Sequence, residues 1–92
     1  MIVPDEARRR ANLAKHGLDF AEADLVYDNP EKVTVISDRA GETRKLDTAI
    51  VEIYGAILAL VYVEHGDDVR VISFRHASHQ ERRRYEKVRA EK

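Results

Sequence analysis

Ninety-two residues suffice for one hydrophobic core and not for two, so a single domain over residues 1–92 is expected. A formal net charge of −1 excludes a protein that draws polyanions by its overall field, and the lack of cysteine excludes disulfides, thiolate catalysis and Cys-based zinc. The charge is nevertheless polarised: residues 1–17 carry four Arg or Lys against two acids, residues 75–92 seven against three, and residues 18–74 five against twelve. Such a chain can offer one cationic face to phosphate and an acidic face elsewhere.

A first helix is predicted from about Asp5 to His16. Pro4 suits a helix start, Asp5 and Glu6 favour its positive end, and Lys15 and His16 favour its negative end. Gly17 then stops it as the residue past the C-cap. The apolar stripe Ala7, Ala11 and Ala14 is thin, so this helix buries little. A second short helix is predicted over Asp19–Tyr27, with Phe20, Ala23 and Tyr27 on one face, broken by the turn signal Asn29-Pro30.

Four strands follow. They are KVTVIS (32–37), TRKLDTAIVEI (43–53), AILALVYVE (56–64) and DVRVISFRH (68–76). The second alternates Leu46, Thr48, Ile50 and Glu52 with Asp47, Ala49, Val51 and Ile53, while the third is apolar on both faces and reads as a central strand. Tight connections at Tyr54-Gly55 and His65–Asp68 make hairpins, so the sheet is mostly antiparallel. The longest apolar run, Ala56–Val63, is too short to cross a bilayer, and no signal-peptide pattern opens the chain. A soluble cytoplasmic protein with no membrane partner is expected. In the last segment Ser78 and Glu81 form a capping box, Ala77 stands at the staple position, and Ala77, Glu81, Tyr85 and Val88 recur at helical spacing. The order is ααββββα, an α+β domain with two N-terminal helices and one C-terminal helix on a four-stranded sheet.

Three stretches carry a resemblance: DEARRRANLAKHGLDFAEA (5–23), Glu42-x-Arg44, and RVISFRHASHQERRRY (70–85). Within them Asn12-Leu13, Lys15-His16-Gly17, Phe20, Ala23, Arg70, Ile72-Ser73, Arg75, Ala77-Ser78, Glu81-Arg82 and Tyr85 recur in the expected order across nearly the whole chain. Together they resemble the BrnT toxins of bacterial type II toxin–antitoxin systems. The resemblance implies a RelE-like fold, metal-independent endoribonuclease activity that inhibits growth, and neutralisation by a BrnA-type antitoxin that carries the DNA-binding function. It further suggests a heterotetramer with that antitoxin, contact with DNA only through the complex, and no cofactor. Two positions depart from the pattern. Pro4 stands where members carry an aromatic residue before the first helix, which would loosen that helix, and Phe74 stands where a small residue precedes the arginine, which would set a bulky ring beside the site.

The chemistry agrees in kind. Cutting RNA without a metal requires a 2′-hydroxyl deprotonated, a 5′-oxygen protonated, and the charge developing on phosphate met by fixed cations. Arginine forks suit phosphate oxygens and stay charged at any relevant pH. Arg70 and Arg75 lie five residues apart, so a regular strand points them to opposite faces, Arg70 with Ile72 and Phe74, Arg75 with Val71 and Ser73. Only a bulge or the strand's end brings both to one phosphate. Arg75, where the strand meets the capped helix, is the favoured ligand, and Arg70 has a second reading as a tie for the His65–Asp68 turn. Arg44 is either a phosphate ligand or simply the partner of Glu42. His16 and Lys15 are either proton carrier and RNA contact or residues suited to a helix C-terminus. Arg82, Arg83 and Lys87 read as an RNA-docking surface or, with Arg84, as a solvated helix face. Tyr85 reads as core more readily than as a catalyst. His76 and His79 flank a helix start without an evident third ligand, so no metal site is expected. Two other readings stay open: a module that binds RNA or an acidic partner without chemistry, and a structural subunit of a transcription-regulating complex.

Overall fold

The computed structural model describes residues 1–39 and 41–91. The first helix, α1, spans Glu6–His16. Asp5 is its N-cap, accepting from the Arg8 amide at 3.1 Å, and Gly17 ends it in the left-handed conformation (φ 72°) with its N–H on the Leu13 carbonyl. The second predicted helix is instead a tight 3₁₀ turn, Phe20–Glu22, followed by a single helical turn, α2, at Asp24–Tyr27. The Asp19 side chain takes the Ala21 amide, and the bonds from Glu22 to Asp19 and from Ala23 to Phe20 span three residues rather than four. This winding buries Phe20, Ala23 and Val26 together.

The strands are β1 (Val33–Arg39), β2 (Glu42–Val51), β3 (Ala56–His65) and β4 (Asp68–His76), antiparallel neighbours in chain order. Glu52 and Ile53, expected to extend β2, instead join Tyr54 in a 3₁₀ turn that Gly55 closes at φ 61°. Ala49 and Val51 of β2, Leu58, Leu60 and Tyr62 of β3, and Val69, Val71 and Phe74 of β4 share one face. That face meets Leu18, Phe20, Ala23 and Val26 from the helical segments, and this is the main core. A carboxylate is buried within the same face. Asp47 is fully buried, matched by Lys32 Nζ at 2.8 Å and Thr34 Oγ1 at 2.6 Å, and Lys32 stands 4.6 Å from the centre of the Tyr27 ring.

The last helix, α3 (His79–Ala90), carries both bonds of the expected capping box between Ser78 and Glu81. It crosses the opposite face of the sheet, tied to β4 by Arg75–Glu81 at one end and to the segment before β1 by Arg89–Glu31 at the other. Tyr85 is buried there, on the side of the sheet where Thr48 and Ala59 are also buried. The outer edge of β4 is covered in two places. Ile2 makes a parallel bridge to Val69, and the Asn12 side chain bonds the Phe74 backbone in both directions, donating to its carbonyl at 2.7 Å and accepting its N–H at 3.0 Å.

Candidate functional site

β4 does not alternate regularly. Val61 pairs with Ser73 and its neighbour Tyr62 with Val71, so Ile72 is an extra residue without a partner on β3. The bulge changes the parity of everything after it. Val69, Val71 and Phe74 all turn into the core, and Arg70, Ser73 and Arg75 all turn to the opposite face. The expected separation of Arg70 from Arg75 onto opposite faces is therefore corrected. So is the expected position of Phe74: its ring is fully buried on the core side, away from the arginines, and crowds nothing there. A cavity of about 630 Å³ borders Pro4, Phe20 and Tyr27 at the other departing position.

On β2, Lys45 pairs with Tyr62 on the core face, so its neighbour Arg44 turns to the opposite face, that of Val63 and its partner Arg70. Glu42 gathers the two guanidinium groups. Its Oε1 accepts from Arg44 Nε at 3.3 Å and its Oε2 from Arg70 Nη2 at 3.1 Å. Arg70 thus reaches across the sheet to β2 rather than tying down the His65–Asp68 turn. The Arg70 and Arg44 side chains remain 42% and 38% exposed. The Nε of Arg70 is buried and has no hydrogen-bond partner among the described residues.

Arg75 lies four rungs away along β3, about 13 Å at strand spacing. Its fork is engaged: Nη1 and Nη2 donate to the two oxygens of Glu81 at 2.7 and 3.1 Å, in the bidentate geometry that favours arginine. Glu81 also accepts from the Ser78 amide, and its carboxyl is held down at about 2, chiefly by Arg75. The helix N-terminus beside Arg75 is likewise occupied, the Glu81 amide being bonded to Ser78 Oγ. In the free protein this end of the face is a closed corner joining strand to helix.

Lys15 and His16, at the end of α1, stand beside the β4 edge. With Arg8, Asn12, Ile72 and Ser73 they line a shallow cleft of about 240 Å³ at the bulge. Partial burial holds the His16 imidazole below its usual range, and the positive charges of Lys15 and Arg75 push it the same way. On α3, Arg83 and Lys87 are exposed one turn apart, while Arg82 donates to the Ala77 carbonyl at 3.0 Å and serves the helix start. Tyr85 is core, as read from its spacing. Among the described residues no three His, Asp or Glu side chains converge as metal ligands.

The sequence pointed to no structural role for Asn12 and to only one partner, Arg44, for Glu42. Asn12 is the peg that holds α1 on β4. Glu42 is the shared partner of two arginines, 2 and 28 residues away. The i,i+2 spacing of Glu42 and Arg44 on a strand put them on one face, but nothing local pointed to Arg70.

The model of a family described as the ribonuclease toxin BrnT of type II toxin–antitoxin systems matches residues 5–81 of the chain. No curated protein matches it.

Proposed function

The chain belongs to the BrnT family of ribonuclease toxins of type II toxin–antitoxin systems, and from that premise we propose that it cleaves RNA internally without a metal ion, by attack of a ribose 2′-hydroxyl on the adjoining phosphate. One observation carries this reading: the bulge at Ile72 turns Arg70 and Arg75 to the face that holds Arg44. On it, Arg44 and Arg70 form the phosphate clamp, with side chains open to solvent and a buried Arg70 Nε that has no acceptor among the described residues. Fixed cations of this kind stabilise the extra charge of the transition state more than that of the substrate.

Arg75 joins this clamp only if RNA displaces it from Glu81, so it serves as the cation bordering the site. Lys15 and His16 serve from the edge cleft, Lys15 as an RNA contact and the His16 imidazole, held below its usual range, as a proton relay to solvent. Arg83 and Lys87 offer a sequence-independent docking surface for the strand beyond, with Arg82 held at the helix start.

A type II system supplies an antitoxin. In this reading it is of the BrnA type, covers the arginine face with acidic and apolar side chains, and brings DNA binding to a heterotetramer in the cytoplasm. No helix among the described residues is long and apolar enough to cross a membrane. The competing reading, a non-catalytic binding module, draws on the engaged fork of Arg75. One experiment separates them. Purified protein should cut RNA in excess EDTA and lose that activity on addition of its antitoxin. Binding without cleavage favours the module, and cleavage that needs added magnesium or zinc overturns the metal-free mechanism.

A further inference from the structure

Given this face as the site of RNA cleavage, we propose that Glu42 is the general base of the reaction. A base for the 2′-hydroxyl must lie beside the phosphate clamp, be reachable from solvent and have an oxygen free to accept. Glu81 fails the first condition, because it is bonded to Arg75 at the far corner of the face, about 13 Å along the strand from Arg70. Asp47 fails the second, being fully buried on the other face of the sheet. His16 stands outside the clamp, at the edge of β4.

Glu42 meets all three. It sits between the two exposed arginines, its side chain is 31% exposed, and each of its oxygens has one protein partner, at 3.3 and 3.1 Å. A carboxylate oxygen has capacity for two, so each can take a further donor. A phosphodiester gripped by the outer donors of Arg44 and Arg70 brings its neighbouring ribose against this carboxylate.

The step balances without any oxidant or metal. Glu42 takes the 2′-hydroxyl proton while the 2′-oxygen bonds to phosphorus. The bond from phosphorus to the 5′-oxygen breaks, and that oxygen takes a proton from water. The products are a 2′,3′-cyclic phosphate and a 5′-hydroxyl, and the carboxylic acid returns its proton to solvent. The two guanidinium groups remain in place to meet the charge on the phosphate oxygens.

The test uses the full chain and its Glu42→Gln and Glu42→Ala variants, with cleavage measured on an RNA oligonucleotide and binding on its 2′-O-methyl counterpart, which cannot be cut by this route. In Glu42→Gln the cleavage rate at saturating RNA should fall by roughly 10²–10⁴-fold, the usual contribution of a positioned base. Binding of the 2′-O-methyl strand should hold or tighten, because a negative charge between the two forks is gone. Formate should partly restore cleavage to Glu42→Ala. The proposal is overturned if Glu42→Gln cuts as fast as the parent, or if cleavage and binding fall together with thermal stability, which would make Glu42 only a clamp for the arginines. A parent protein that does not cut RNA overturns the site reading itself and this assignment with it.

Discussion

Arg75 shows how a residue chosen for its chemistry can have its geometry spent elsewhere. Its fork, bidentate to Glu81, joins the end of β4 to the first turn of α3. Arg75→Ala should leave a largely buried carboxylate without its counter-ion and lower stability by about 2–4 kcal/mol, read from thermal or urea melts. Loss of toxicity in that variant therefore counts as catalytic only if the melt is accounted for. The same pair sets an acid limit. Folding holds the Glu81 carboxyl at about 2, below its ordinary 4.5, so its stabilisation is complete above about pH 4.5 and lost as pH falls through 2. Melting temperature should drop over that interval in the parent and drop less in Arg75→Ala. The capping box was legible in the sequence because Ser78 and Glu81 stand at fixed helical offsets. The second duty of Glu81 was not, since a strand–helix corner with partners six residues apart has no periodic signature.

At the level of elements, the order, the central strand and both helix caps could be read from periodicity and punctuation, because alternation, glycine and capping side chains act locally. The bulge left a trace that a two-residue period overrode: the apolar positions run Val69, Val71 and then shift parity to Ile72, Phe74. That shift is what returns Arg75 to the side of Arg70. The docking of α1 was hidden for another reason. Its apolar stripe is thin, and the contact that holds it is polar: the Asn12 amide donates to the Leu18 and Phe74 carbonyls and accepts the Phe74 N–H. Asn12→Asp replaces the donor with an oxygen facing two carbonyls, while keeping side-chain volume. We expect a loss of about 2–4 kcal/mol, more than one hydrogen bond contributes, because the remaining buried groups go unsatisfied. The edge cleft with Lys15 and His16 should loosen with it. Hydrogen exchange at Phe74 and along α1 would reveal this, and unchanged protection there would show that the helix is held by something else.

The whole molecule is nearly neutral, yet its proposed work is to grip a polyanion, and the fold reconciles the two by position rather than by total charge. Acidic residues of the middle segment are drawn into pairs, Asp47 with Lys32, Glu64 with Lys45 and Glu42 with Arg44 and Arg70, while Arg83 and Lys87 stay exposed on α3. With so little net field, RNA affinity should depend on a few local contacts, and its salt dependence should count them. Each phosphate neutralised on a single strand contributes a slope of about −0.7 in log K against log salt. If Arg44 and Arg70 grip one phosphate and the α3 pair touches one more, the slope for 2′-O-methyl RNA should be shallow, near −1.4. Arg83→Ala should make it shallower and cut affinity modestly, leaving the cleavage rate at saturating RNA intact, because that contact is the same in ground and transition states. Arg44→Ala should instead reduce the saturated rate, since its phosphate is the one that reacts. If Arg83→Ala abolishes cleavage while Arg44→Ala leaves it untouched, the reacting phosphate lies on the outer face of α3 and not on the sheet.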